Sequence, residues 1–540
     1  MKILGISHPY SLNTAACILV DGKIKAFAEE ERFIRFKHAP RIAAKEATNY
    51  CLEEAGLKMS DIDYIAVGYG DWYKCILPNL IGQNLKFAYH KIRRSVRWLR
   101  LLRWNQPFDF HDPRVININH HLSHVASSFY LSGFQQANFI SLDGAGESEA
   151  GVLGYGNGTE IKVFHRIKNA YSWGGLYEDL TGILGFKKHS QEGKVMGLAS
   201  YGNPDLSMFD FIDWNQKPIP QINYKKKNVF LSKIKKRGRY DKITQEHKDL
   251  AATLQYSLEK AVLIMAEYLY KKTNCRNLCL AGGVALNCSM NGKLLQSSYV
   301  DNIFIQPASS DAGTALGAAV KVYVDKTNKI PEKFEHAYWG SEFSNDQIES
   351  IIKECKCSKW RKSDNIFKET AQKIADNKIV GWFQGRMEIG PRALGNRSIL
   401  ANPSNIEMKD IVNNNVKKRE TWRPFAPSIL EEYADQYVYN YYNSPFMIIA
   451  FNVKENKEKD IIAASHIDHT VRLQTVSKKT NFKYWQLIEE FRKITGVAGL
   501  LNTSYNLAGE PIVCTPRDAL RTFFASGMDI LAIGDYIIEK

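Results

Sequence analysis

Two stretches of the chain share one layout. The first, "MKILGISHPYSLNTAACILVDGKIKAFAEE", starts at Met1 and reads as strand, polar loop, strand, Asp21-Gly22 turn, strand. The second, "NFISLDGAGESEAGVLGYGNGTEIKVFHR", starts at Asn138 and repeats the scheme, with Asn157-Gly158 as its turn. Asp-Gly and Asn-Gly between alternating apolar runs are strong hairpin signals. Helical and strand segments follow each unit. This weak internal repeat predicts two related α/β lobes facing each other, with two polar strand-to-strand loops across one cleft. Clefts between lobes are common ligand sites.

The repeat does not account for the whole chain. At 540 residues the sequence is too long for one core, and length alone suggests about three to four lobes. "NLCLAGGVALNCSMNGKLLQ" and "NIFIQPASSDAGTALGAAVKVY" each read as a buried strand, a turn and a helix. Near 328–345, "NKIPEKFEHAYWGSEFS" has a proline, mixed charge and no period, and a domain boundary is placed there. The division is 1–335 and 345–540. Beyond it "KIVGWFQGRMEIG", "SILANP", "FMIIAFNV" and "MDILAIGDYIIE" are strand-like, while "WQLIEEFRKITG" and "TPRDALRTFFASG" are helical. A second α/β domain therefore fills the C-terminal third.

Several protein classes are excluded early. No apolar run reaches about 18 residues, so no transmembrane helix is expected. "MKILGISH" lacks a secretory layout. Nine scattered cysteines form no CxxC pair, which argues against a disulfide framework or a zinc ribbon. A reduced, cytoplasmic setting is the expectation. The formal net charge of +15 admits nucleic acid, an anionic lipid surface or phosphorylated small molecules without choosing among them. One basic, aromatic segment, "LKFAYHKIRRSVRWLRLLRW" at 85–104, is expected to be helical, and peripheral membrane contact is one reading of it. Its cations do not fall on one clean face, which favours a solvated insertion or a partner contact.

The chemistry-bearing motifs cluster at strand ends. His120 and His124 stand four apart, so on a helix both reach one ion. Asp143 ends an apolar run just before Gly144 and Gly146 and can add a carboxylate; imidazole plus carboxylate suits zinc or a harder redox metal. The plainer reading is a helix solvated or capped by histidines. Asp311 stands where a helix begins, as an N-cap or as a fourth metal ligand. The glycines after Asp143, and Gly282, Gly283 and Asn287 in "GGVALN", allow phosphate or a flat ligand close to the backbone. Lys194 in "QEGKVMGLASYG" can neutralise a phosphate, though no P-loop spacing is present. In the C-terminal third, Arg386, Arg392, Arg397, Lys417, Lys418, Arg419, Arg423 and Arg472 occupy separate elements. Converged by a fold, they would make a small-anion site.

"EEERFIRFKH", "HHLSHVAS", "LDGAGE", "EGKVMGLASYG", "GGVALN", "SSDAGTALGAA", "GPRALGNRSILANP", "WRPFAPSIL" and "NTSYN" also carry a resemblance. In type and order they resemble the NodU/CmcH family of O-carbamoyltransferases, which includes the tobramycin carbamoyltransferase, along nearly the whole chain. The resemblance implies a two-lobed actin/Hsp70-like (Kae1-like) N-terminal domain and a C-terminal YrdC-like α/β domain. It implies that carbamoyl phosphate and ATP give carbamoyl-adenylate in the C-terminal domain. The N-terminal domain would pass the carbamoyl group to a hydroxyl of a sugar, nucleotide sugar or natural product. It further implies a metal, commonly Fe2+, on His120, His124, Asp143 and Asp311, with Mg2+ admitted beside ATP. Carbamoyl phosphate would lie on Arg392, Lys417, Arg423 and Arg472, and Lys37 near the nucleotide phosphates. A homodimer is compatible with this reading, and no nucleic acid is expected.

One departure stands out. Many members carry His-Asp in the first loop, where this chain has Leu12 and Asn13. His8, four residues before Leu12, is the candidate to replace a catalytic histidine. Two alternatives remain: a threonylcarbamoyl-type tRNA-modifying enzyme, which +15 would suit, and a non-catalytic actin-like ATP switch, which leaves the arginine-rich domain without a purpose.

Overall fold

The structure, a computed structural model, describes residues 1–8, 12–70 and 107–540. The basic segment at 85–104 lies outside the described residues.

The repeat is real and extends to topology. The first sheet holds β1 (Lys2–Ile6), β2 (Ala15–Val20), β3 (Lys23–Glu29), β4 (Tyr64–Val67) and β5 (Val115–Asn117) in the order β3-β2-β1-β4-β5. The second holds β6 (Gln136–Leu142), β7 (Glu149–Asn157) and β8 (Glu160–Lys168). A small ribbon of β9 (Ile212–Asp213) and β10 (Gln221–Ile222) follows, and β11 (Asn277–Ala281) and β12 (Asn302–Ile305) complete the second sheet as β12-β11-β6-β7-β8. In each sheet the first three strands form an antiparallel meander; the fourth pairs in parallel with the first, and the fifth in parallel with the fourth. Asp21 and Gly22 both take positive φ, as the hairpin signal requires. The second turn sits one residue later than the sequence suggests. Asn157 still pairs with Glu160, so the loop is Gly158–Thr159.

Two helices fill the space between these sheets and bring the site together. Helix Ala312–Thr327 packs on β1, β2 and β4 and also on helix His120–Phe129. Its small residues make the approach feasible. A Cβ on Gly317 would collide with the backbone oxygen of Ser123, and one on Gly5 with that of Ala315. Gly317→Val is therefore expected to cost about 1–3 kcal/mol by overpacking, read as a lowered denaturation midpoint; an unchanged midpoint would mean that the helices separate freely.

The segment 328–344 has only one isolated bridge, Tyr338 to Glu388, and leads to an eight-stranded mixed sheet. Its strands are β13 (Trp360–Lys362), β14 (Val380–Phe383), β15 (Arg397–Ala401), β16 (Ala426–Leu430), β19 (Gln474–Val476), β20 (Gly499–Ser504), β21 (Ile530–Ile533) and β22 (Tyr536–Glu539). A separate ribbon pairs β17 (Ala450–Asn452) with β18 (Thr470–Arg472). Alternation decides the layers. Val380, Trp382, Leu400 and Leu500 share one core with helices Ile366–Ala375 and Phe482–Thr495; Phe383, Ile399 and Leu501 share the other with helices Asn345–Glu354 and Pro516–Phe524. Among the described residues no helix is long and apolar enough to cross a membrane, and the eight described cysteines are all free.

Candidate metal centre and anion pocket

His120 and His124 open helix His120–Phe129, which Asn119 caps by accepting the Leu122 amide. Asp143 follows the end of β6, and Asp311 precedes helix Ala312–Thr327. Asp311 occupies the N-cap position yet makes no side-chain cap bond. Its carboxylate instead faces His120 Nε2 at 3.9 Å. One ligand atom from each of the four residues falls within a sphere where all are less than 4.8 Å apart. His124 Nε2 is 3.2 Å and His120 Nε2 3.8 Å from Asp143 Oδ2. All three atoms are buried without a hydrogen-bond partner.

These four groups are frustrated without a cation. Burial, then the Asp143 charge, pushes Asp311 up to about 7. Burial would raise Asp143 too, but His120 and His124 hold it well below the usual carboxylate range. Two converging carboxylates and two unpartnered imidazoles are what a divalent ion resolves, so these residues fit a metal. Supporting groups fix them. Glu147 accepts from the amides of Gly70 and His120 and from Asn119 Nδ2. His121 is not a ligand candidate, because its nitrogens are taken by Ser141 Oγ and Glu149 O.

The predicted nucleotide loops border this cluster. Asp143 Oδ1 accepts the Gly144 amide at 2.8 Å. A Cβ on Gly146 would lie 2.9 Å from the His120 ring, and one on Gly283 3.0 Å from Asp143 Oδ1. Gly282 takes φ +86, and a side chain there would strike the Leu142 carbonyl. Asn287 is otherwise engaged: it caps helix Cys288–Leu295 and exchanges two amide bonds with Gln255. The glycine turn does not open that helix directly; a 3-10 turn at Gly283–Leu286 intervenes.

His8 stands beside the metal cluster. It is buried and stacks on Tyr69 with ring centres 4.0 Å apart, and Tyr69 in turn meets the His120 ring edge-on at 5.9 Å. Burial and His120 push its pKa down to about 3. The divergent first loop also touches the site: the Leu12 amide bonds Asp311, and Asn13 Oδ1 lies 2.7 Å from His38 Nδ1.

The C-terminal half gathers the arginines. Arg392, Arg423 and Arg472 lie close enough to repel one another, and burial followed by Arg472 brings Arg392 down to about 9. The Nε atoms of Arg392 and Arg472 are buried without a partner. Burial also lowers Lys37, which comes across from the N-terminal half beside Arg423, Lys187 and Glu31. Clustered buried cations with idle donors are an unfavourable arrangement that an anion would relieve. Three of the other predicted cations are engaged within the protein. Lys417, at the end of a π-helical turn, donates to Ser504 O, Asn506 O and Asn506 Oδ1 at 2.7–2.9 Å. Lys194 is 2.6 Å from Glu420. Arg397 donates to carbonyls of Gln384, Gly385, Asn396 and Ser341.

Sequence reasoning passed over Glu29, Glu31, Arg32 and Glu147. For the first three the signal was present: "EEER" begins on the last residue of β3, directly after the apolar "AFA", and all four of its residues, Glu29 to Arg32, are buried.

The geometry has counterparts among known proteins. Residues 2–320 match the family model described as Carbamoyltransferase N-terminus, and residues 371–540 the one described as Carbamoyltransferase C-terminus. The nodulation protein NolNO of Sinorhizobium fredii is 39% identical, with 99% of this chain and 80% of the relative covered. The nodulation protein NolO of Bradyrhizobium diazoefficiens is 40% identical over 78% of this chain and 79% of its own. An uncharacterized Synechocystis protein is 35% identical over 100% of this chain and 96% of its own. With both family models matched in order over most of its length, the chain belongs to the carbamoyltransferase family and is a transferase.

Proposed function

We propose that the chain is an ATP-dependent O-carbamoyltransferase that activates carbamoyl phosphate in its C-terminal half (345–540), read as YrdC-like. The Kae1-like N-terminal half (1–335) completes the transfer. The observation that carries this reading is the convergence of Arg392, Arg423 and Arg472 from separate elements, two of them with idle buried nitrogens, an arrangement that one small anion would neutralise. Carbamoyl phosphate is such an anion, and planar guanidinium groups match its phosphoryl oxygens. Lys417 is caged by oxygens of Ser504 and Asn506, and burial followed by the neighbouring cations holds its pKa well below the usual lysine range; Lys37 comes in beside Arg423 from the N-terminal part of the chain.

The chemistry balances with one water. Hydrolysis of carbamoyl phosphate releases phosphate and leaves carbamate. A carbamate oxygen attacks the α-phosphorus of ATP, expelling pyrophosphate and forming carbamoyl-adenylate. An acceptor hydroxyl then attacks the carbamoyl carbon, its proton is removed, and AMP leaves. No protein nucleophile is needed; the residues supply positioning and charge stabilisation. His120, His124, Asp143 and Asp311 would hold Fe2+ or another divalent ion, which when bound supplies Lewis-acid stabilisation of phosphate oxygens. The glycines at 144, 146, 282 and 283 permit close packing around the cluster, where a Cβ would meet Glu178, the His120 ring, the Leu142 carbonyl and Asp143. The acceptor class is a hydroxyl of a sugar or secondary metabolite. Incubating the metal-loaded protein with ATP and carbon-14 carbamoyl phosphate, without acceptor, is expected to yield a labelled adenylate on chromatography. Labelled carbamate with intact ATP would refute the activation step.

His8 is placed to receive the acceptor's proton, directly or through water, from its position beside the metal cluster. His8→Ala is expected to slow transfer by about 10²-fold or more while carbamoyl-adenylate still forms; transfer at full rate would remove His8 from the mechanism.

A further inference from the structure

The N-terminal part of the chain also grips the loop that carries Arg392. Glu29 ends β3, and Arg32 follows in the short helix Glu30–Ile34; their side chains are 5% and 1% exposed. Arg32 Nη2 donates to Glu29 Oε2 at 2.8 Å and to the carbonyl of Gly390 at 2.6 Å. Glu29 Oε2 also accepts the Gly390 amide at 3.1 Å. One ion pair therefore grips both polar groups of a single glycine 358 residues further along the chain from Arg32.

Burying this pair is costly, and it is not fully hydrogen-bonded: Arg32 Nη1 has no hydrogen-bond partner, and Nε lies 3.4 Å from Glu31 Oε1 as a longer ion pair. The pair makes more sense as a locating device than as a source of stability. Gly390 is held at φ +87, and a Cβ there would lie 2.8 Å from the Pro307 carbonyl. Pro307 begins the loop that leads to Asp311. Two residues beyond Gly390 stands Arg392, with its idle Nε. The far side of the same loop is tied down independently, because Glu388 Oε1 accepts the amides of Leu394 and Arg397. Both shoulders of the turn are thus fixed, and Arg392 lies between them.

We propose that Arg32, seated on Glu29, is a positioning residue that sets the Gly390–Arg392 turn so that the Arg392 guanidinium meets the phosphoryl group of the bound anion. This rests on the reading of Arg392, Arg423 and Arg472 as the carbamoyl-phosphate pocket. It assigns the buried acidic-basic run of the N-terminal half to the activation site of the C-terminal half.

The test is a double-mutant cycle on carbamoyl phosphate binding to the full chain, with KM and kcat for pyrophosphate release measured alongside. The variants are Arg392→Met, Arg32→Lys and their combination. Arg32→Lys keeps the charge but loses the fork that serves Glu29 and Gly390 together. It is expected to weaken carbamoyl phosphate binding and raise its KM about tenfold, as for one charged hydrogen bond, with kcat and ATP affinity little changed. In the Arg392→Met background it should have almost no further effect, because Arg32 acts through Arg392. Full additivity, or an unchanged affinity in Arg32→Lys, would overturn the proposal. If Arg392→Met itself binds carbamoyl phosphate like the native protein, the pocket assignment fails first, and that result is distinguishable from failure of the positioning role. Should Arg32→Lys not fold, Glu29→Gln repeats the cycle: it leaves an acceptor for the Gly390 amide and removes the charge that seats Arg32. The same non-additive loss is expected, and additivity there overturns the proposal equally.

Discussion

His124→Ala should abolish tight metal binding and reduce carbamoyl transfer by on the order of 10³-fold or more, the several kcal/mol that a Lewis-acid metal supplies. His124 is fully buried, and its Nε2 atom faces Asp143 Oδ2 at 3.2 Å with no hydrogen-bond partner. Removing it leaves His120 between two carboxylates that already repel each other, so the remaining three groups form a poorer cage. Metal content by elemental analysis should fall from near one per chain to near zero. The melting temperature of the variant should match that of the metal-free native protein, which separates loss of metal from loss of fold. A variant that retains stoichiometric metal would show that the cluster is a hydrogen-bonding assembly and not a metal centre.

Arg472→Met should weaken carbamoyl phosphate binding by about 30- to 150-fold, the roughly 2–3 kcal/mol carried by a charged hydrogen bond in a desolvated pocket. Arg472 ends β18, its Nε is idle, and its guanidinium interacts with Cys288. The substitution keeps most of the side-chain volume and removes one of three mutually repelling cations. The free protein should therefore be as stable as the native one or slightly more so, while the anion-bound protein gains less on ligand addition. Thermal melts with and without carbamoyl phosphate read both effects at once. Equal ligand-induced shifts in the two proteins would mean that Arg472 serves the fold.

The residues that were legible in the sequence are those whose signal is local. The duplicated meander could be read because Asp21-Gly22 and Gly158 punctuate alternating strands. The metal cluster could be read because His120 and His124 share a helix face and because Asp143 and Asp311 sit where elements change. Its ambiguity, cap or ligand for Asp311, needed the structure: the carboxylate forgoes the cap bond. What sequence could not supply is how each cation is satisfied. Lys194, Lys417 and Arg423 look alike in sequence as basic residues near glycines or aromatics. The first is matched to Glu420, the second is caged by oxygens of Ser504 and Asn506 almost ninety residues away, and the third stands between Glu420 and the cations Arg392 and Arg472. The grip of Glu29 and Arg32 on Gly390 joins opposite ends of the chain, beyond the reach of any local pattern.

The central claim is that the two halves run one sequence of reactions, with the arginine pocket generating the adenylate that the metal-bearing half consumes. Pyrophosphate release from ATP by the purified, iron-loaded protein, with and without carbamoyl phosphate and before any acceptor is added, tests it most directly. Release that depends on carbamoyl phosphate and falls sharply in Arg423→Ala is expected. Tight ATP binding without pyrophosphate release in either condition would contradict it.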